Sequence, residues 1–289
     1  MCDQDHFEED MKKYPRVTRR EFGTLTAGVG LAMWLPRAAG AVDVTENDVD
    51  IQTPDGTADC YFVHPSSGAH AAVLMWPNVL SLHTGFRQIA KRLAESGYAV
   101  LVPNLFYRSK RAPVVPEGAV FADEATRNLV TPLARLLNAN TYMSDSKAFV
   151  AWLDTQSVVE KRKKMATIGY CLGGQITMLT AAAAPGRVGA AASFHGFALV
   201  TKNPDSPHLL VPQIKAQYLF AIAENDDQRE PDAKNVLREA FAKANLPAEI
   251  EVYAGAAHGW CLPDSPVYNE PQAERAWSRM LTLFEKALA

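Results

Sequence analysis

Cysteine is scarce in this chain: Cys2, Cys60, Cys171 and Cys261 are the only four in 289 residues. Their spacing matches no zinc-ligand pattern, contains no C-x-x-C pair, and is too sparse for a disulfide framework. Excess charge is lacking too. Twenty-nine Lys and Arg against 32 Asp and Glu leave a net charge of −3. That gives no basic footprint for nucleic acid and no polybasic patch for a membrane surface. The uncharged apolar run from Gly23 to Leu35 has 13 residues, short of the roughly 20 that a membrane-crossing helix needs. No internal repeat or low-complexity tract interrupts the chain. What remains is 48% hydrophobic and 21% charged, the composition of a globular domain with a sizeable core.

The 13-residue run has a specific context. Arg19-Arg20 precedes it, and Pro36, Arg37 and the small residues Ala38-Ala39-Gly40-Ala41 follow it. Positive stretch, short apolar run and A-x-A-like end are the parts of a cleaved leader. The arginine pair resembles the twin-arginine signal, which implies the twin-arginine export machinery as a partner and a periplasmic or otherwise exported destination. Residues 1–41 are therefore expected to be a signal peptide, cut after Ala41 or Ala39, and residues 42–289 the functional domain.

From Val42 onward two kinds of segment alternate. Apolar, β-branched runs at Val49–Thr53, Ala58–His64, Ala71–Trp76, Ala99–Pro103, Ala166–Tyr170, Ala190–Phe194, Gln217–Ala223 and Glu249–Tyr253 suit strands. Gly85–Ser96, Ser144–Leu153, Leu172–Ala184, Asp232–Ala244 and Gln272–Leu288 carry helical spacing, as in Phe86, Ile89, Ala90 and Leu93. Pro54-Asp55-Gly56 joins the first two strands as a hairpin. The alternation predicts an α/β fold with a mainly parallel sheet and helices on both faces. Tyr107 to Asn140, rich in proline and charge, reads as an excursion above that sheet.

Between a predicted strand and a predicted helix stands Gly169-Tyr170-Cys171-Leu172-Gly173-Gly174. This is the G-x-S-x-G nucleophile elbow with sulfur in place of oxygen. The chemistry needs the pattern for a steric reason: the nucleophile occupies a strained turn, and glycines let strand and helix approach closely. A helix N-terminus below it favours a thiolate and offers N–H groups to an oxyanion. In this fold the acid and base follow the nucleophile in that order. Glu224-Asn225-Asp226-Asp227 ends one late strand, and Gly255-Ala256-Ala257-His258-Gly259-Trp260 ends the next. Among seven histidines only His258 has this order and these surroundings; His195 follows a strand but precedes any acid. Asp226 leads as the acid, Asp227 comes next, and Glu224 lies too close to the strand.

These residues resemble the dienelactone hydrolase family of α/β-hydrolases. The likeness rests on Gly169 to Gly174, on Asp226, on Ala257-His258-Gly259-Trp260, and on the early segment Gly97-Tyr98-Ala99-Val100-Leu101-Val102-Pro103. It implies a hydrolase of a small ester or lactone working through an acyl-thiol, with no cofactor and no metal. By resemblance Cys171 attacks, His258 shuttles protons, Asp226 orients the imidazole, and the N–H groups of Leu172 and Val79 form the oxyanion hole. Two positions depart from the family pattern. Asn78 stands where members carry a glutamate near the thiol, and Leu262 where an arginine grips the substrate carboxylate. Asn78, Trp260 and Leu262 are thus expected around a less acidic, more apolar substrate, with Arg108, Arg111 or Arg127 as substitute cations. The alternatives are an exported binding protein with a decayed site and a thiol-redox protein pairing Cys171 with Cys261.

Overall fold

The computed structural model describes residues 40–289. Of the expected leader, only Gly40 and Ala41 fall within it; Arg19 and Arg20 lie outside the described residues. All eight predicted strands are present: β1 (Val44–Thr53), β2 (Gly56–Pro65), β3 (Ala72–Trp76), β4 (Ala99–Pro103), β5 (Met165–Tyr170), β6 (Val188–Phe194), β7 (Gln217–Ala223) and β8 (Ala248–Tyr253). β1 begins five residues before its predicted start because its pairing with β2 runs on to Val44 opposite Pro65. The long helices are α1 (Thr84–Glu95), α2 (Glu124–Ala134), α3 (Ala139–Leu153), α4 (Leu172–Ala183), α6 (Ala233–Lys243) and α7 (Glu270–Ala287); a short helix α5 (Glu224–Arg229) follows β7 directly. α3 starts five residues earlier than its spacing suggested. Asn138 and Thr141 form a reciprocal capping box there, which satisfies two orphan N–H groups.

The sheet runs β1-β2-β4-β3-β5-β6-β7-β8. β1–β2 and β2–β4 pair antiparallel, and every later pair is parallel. Because side chains alternate along a strand, β3 sends Ala72, Leu74 and Trp76 into one core and Val73 and Met75 into the other. α3, α4 and α6 cover the first face through Phe149, Ile176 and Phe241; α1 and α7 cover the second through Phe86, Ile89, Met280 and Phe284. This is the α/β-hydrolase fold.

Two features of the layout set up a site. The chain leaves β3 toward β4, then returns to β5 on β3's other side, so the loops after β3 and β5 diverge. Such a switch point opens a crevice at the C-terminal strand ends. The helix below it is anchored from both sides. Trp76 Nε1 of β3 donates to Thr180 Oγ1 of α4 at 2.9 Å, and Ser146 Oγ of α3 lies 2.8 Å from the same hydroxyl. Trp76 is fully buried, and removing such a side chain costs about 3–5 kcal/mol. At the far edges, acids of the strands pair with arginines of the flanking helices, Asp48 of β1 with Arg87 of α1 and Glu249 of β8 with Arg279 of α7. Charged edge strands resist pairing with other chains.

Candidate active site

β5 ends at Tyr170, and α4 begins at Leu172 with Cys171 as its N-cap at φ 53° and ψ −116°. A non-glycine residue rarely holds a positive φ, and such strain collects at functional sites. The turn is closely packed. A Cβ on Gly169 would collide with the Gly173 carbonyl, and one on Gly173 with the carbonyls of Trp76 and Pro77. The two glycines therefore let β5, α4 and the loop after β3 close on one another. The turn is tied to β6 by Cys171 N–H donating to Phe194 O and Phe197 N–H to Cys171 O, both at 3.1 Å. Cys171 is half-buried and free; Cys261 is likewise half-buried and free, and Cys60 is free but fully buried. Leu172, the first residue of α4, belongs to the helical turn whose N–H groups lack intrahelical partners. Val79 lies on the loop that packs against this turn, half-buried.

Asp226 and His258 meet beside the elbow: Asp226 Oδ2 is 2.8 Å from His258 Nδ1, with each side chain about one-fifth exposed. The neighbouring carboxylates turn elsewhere. Asp227 holds Lys234 Nζ at 2.6 Å, and Glu224 Oε2 accepts from Gly255 N–H at 2.9 Å. The histidine loop is fixed by its own backbone. Asn225 Oδ1, 3% exposed as a residue, accepts from His258 N–H at 2.9 Å, and Glu224 N–H donates to Ala256 O at 2.9 Å. Asn225 was missed in the sequence; its only trace there is its place in the polar run after β7. Arg229 Nη1 stands 3.6 Å from Asp226 Oδ1, on the carboxylate's other oxygen.

The electrostatics favour a charged imidazole. Burial pushes His258 down, but the Asp226 carboxylate and the Cys171 side chain outweigh it and hold the ring well above its ordinary value. His258 Nε2 is buried with no hydrogen bond of ordinary geometry among the described residues, although Cys171 lies within its electrostatic reach. Catalytic contacts often stand loose until substrate tightens them. Against the same ring, at 4.8 Å between centroids and 66° between planes, sits His195. Burial and the nearby His258 push this second imidazole well below its ordinary value. The two rings in contact are thus shifted in opposite directions.

Comparison with known proteins places the chain in a family. The model of the dienelactone hydrolase family matches residues 58–288. The chain belongs to the dienelactone hydrolase family. It is similar to a candidate carboxymethylenebutenolidase of Salmonella typhi, 28% identical over 250 residues, covering 85% of this chain and 88% of that protein. It is similar also to the carboxymethylenebutenolidase of Rhodococcus opacus, 26% identical over 246 residues, covering 82% and 90%. A crystal structure of a candidate dienelactone hydrolase from Klebsiella pneumoniae superposes with a TM-score of 0.72 at 23% identity, covering 84% of this chain and 99% of that one. Family membership makes the chain a hydrolase of the carboxylic ester type.

Within a dienelactone hydrolase fold, the residues expected to surround the substrate divide. Asn78 stays on the loop after β3, where its Oδ1 accepts from Leu80 N–H at 2.9 Å and shapes the turn. Trp260 and Leu262 are 0% and 2% exposed and packed in the core. The expectation that they face substrate is corrected to this extent: both are enclosed beneath the site and offer no surface. Their glycine-rich loop folds back on β8, stacking Trp260 on Tyr253 at 5.3 Å. The substitute cations are engaged elsewhere. Arg108 binds Asp55 and Asp145, Arg111 binds Asp50, and Arg127 donates to the carbonyls of Phe121 and Ala122. Cys261, the partner a redox reading needs, lines a small cavity with Arg92, Tyr170, Tyr268 and Trp277. Among the described residues no cluster of three or more His, Cys, Asp or Glu side chains is placed to hold a metal ion.

Proposed function

We propose that this protein is a thiol hydrolase that cleaves a small, uncharged ester or lactone through an acyl-cysteine intermediate. The observation that carries this reading is Cys171 on a strained turn at the head of α4, beside a His258–Asp226 pair of 2.8 Å. The Cys171 thiolate attacks the acyl carbon, a C–S bond forms, and the carbonyl electron pair moves to oxygen. The N–H groups of Leu172 and Val79 receive that oxyanion. As the intermediate collapses, the C–O bond to the alcohol breaks and His258 supplies its proton. Water then gives a proton to His258 and attacks the thioester; the C–S bond breaks and the acid leaves. Asp226 holds the imidazole in one tautomer and offsets its charge through both steps.

The names of the relatives, carboxymethylenebutenolidase among them, point to lactone chemistry. Leu262 in place of a carboxylate-gripping arginine, with Arg108, Arg111 and Arg127 all committed, favours a neutral substrate. The test is a chromogenic short-chain ester followed from the first milliseconds. A burst equal to the enzyme concentration, abolished by prior thiol alkylation, is expected. Steady turnover insensitive to alkylation contradicts the reading.

The same proposal covers location. Arg19-Arg20 before the Gly23–Leu35 run supports twin-arginine export of the folded protein. Replacing both arginines by lysine is expected to leave a full-length precursor in the cytoplasm. Processed protein outside the cytoplasm in that variant removes the reading.

A further inference from the structure

We propose that His195 is a positioning residue for His258, fixing its tilt and supporting its charge with an uncharged dipole; this rests on the thiol-hydrolase reading. Residue 195 sits where the site's strands converge. Its neighbours Phe194 and Phe197 make the two backbone bonds to Cys171, and its own N–H donates to Ala221 O of β7 at 2.8 Å, the strand leading to Asp226. Its ring abuts His258 at 4.8 Å, Trp260 at 5.3 Å and Tyr170 at 6.1 Å. In this aromatic box a phenylalanine would supply the same wall without polar atoms. The chain instead holds an imidazole at φ 39°, 1% exposed, with both ring nitrogens buried and neither bonded to another residue among the described residues. Strain and unsatisfied polarity thus coincide on the side chain that touches the proposed base. Such costs persist where function needs them.

The physical role follows from what surrounds His258. Asp226 faces one edge of its ring, Cys171 acts on it from the elbow, and Arg229 and Glu230 lie beyond Asp226. A second cation on the remaining side would expel the proton from His258. Burial keeps His195 uncharged, so the ring acts as a fixed dipole where water would otherwise solvate the imidazolium.

The test uses the full chain and three variants, His195→Phe, His195→Gln and Cys171→Ala. Readouts are kcat and KM for 4-nitrophenyl acetate and the pH profile of Cys171 alkylation by iodoacetamide. His195→Phe is expected to lower kcat about tenfold at unchanged KM, and to move the acid limb of alkylation to higher pH. His195→Gln, which restores a dipole, should recover part of both. Wild-type kcat and profile in His195→Phe, or His195→Gln no better than His195→Phe, overturns the positioning role. Should both variants misfold, ring-nitrogen NMR of the wild type decides: His195 is expected to stay neutral while His258 titrates, and the reverse overturns the proposal. An active Cys171→Ala removes the thiol reading itself. An inactive Cys171→Ala beside a fully active His195→Phe removes only the role of His195.

Discussion

Beneath the β1–β2 turn, Tyr107, Arg108 and Asp145 are all satisfied. Tyr107 donates to Asp145 at 2.7 Å, Arg108 bridges Asp55 and Asp145, and its guanidinium lies 4.5 Å over the Tyr107 ring. At the elbow the opposite holds. Both nitrogens of His195 and Nε1 of Trp260 are buried without a hydrogen-bond partner in another residue among the described residues, and Cys171 and His195 have positive φ. A buried polar group left unpaired costs about 1–3 kcal/mol, so the elbow carries a burden that the Arg108 cluster does not. On the proposed reading, the first cluster serves stability and the second serves chemistry. It also explains why the arginines of the excursion are poor substitutes for a substrate clamp: freeing Arg108 would strand the Asp145 carboxylate, which is 4% exposed as a residue.

Four perturbations sharpen or break this contrast. The largest effect is expected from Cys171→Ala, with ester hydrolysis falling by about 10⁴-fold or more and the melting temperature nearly unchanged. Initial rates and thermal melts check it together. Next, Asp226→Asn should lower kcat by about 10²- to 10⁴-fold, whereas Asp227→Asn, one residue along, should leave it within about twofold because Asp227 serves Lys234. The same pair yields a pH prediction. His258 has a folded value raised above its ordinary 6.5, so its contribution to stability is fully present below about pH 6.5 and is lost as pH rises through the higher folded value. Stability curves of wild type and Asp226→Asn should therefore differ most in acid and converge in alkali.

Arg108→Met is the complementary break. Leaving Asp145 without its cation should cost about 3 kcal/mol of stability by denaturant titration, with kcat unchanged. A large loss of kcat in a folded variant would bring the excursion into the site. The smallest effect concerns substrate charge. Lacking an arginine worth about 1.5–3 kcal/mol to a carboxylate, the enzyme should forgo roughly 10- to 150-fold in kcat/KM on an anionic dienelactone, so its methyl ester should be the preferred substrate; a preference of about tenfold or more for the free acid would contradict this. Leu262→Arg is a poor rescue, because position 262 is enclosed and would bury the guanidinium.

Much of this was legible in the residues. Strand-length apolar runs marked β3 to β7, which are buried on both faces and carry continuous apolar sequence. Helix ends were displaced where a cap decided them, as at Asn138. The acidic run 224–227 read as a loop yet forms α5, whose first turn collects Glu224, Asp226 and Asp227 at the positive end of the helix dipole. Cys171, Asp226 and His258 could be brought together on paper because each ends or follows a strand of one parallel sheet. The parts set by loop-on-loop packing were not legible. Nothing in Asn225 announces a bond to the backbone of residue 258, and His195 became notable only once its ring was seen against His258. Trp260 and Leu262 looked like pocket residues by their distance from His258 in sequence, but the 259–269 loop folds inward, with Asn269 N–H returning to Trp260 O at 3.1 Å.

The central claim is that Cys171 carries the acyl group. Rapid acid quench of the enzyme with a short-chain ester, followed by intact mass and peptide mapping, tests it most directly. The account predicts a mass increase of one acyl group, confined to the peptide containing Cys171 and absent from Cys171→Ala. Turnover of the ester with no adduct at Cys171, or an adduct on another residue that turns over at the steady-state rate, would contradict it.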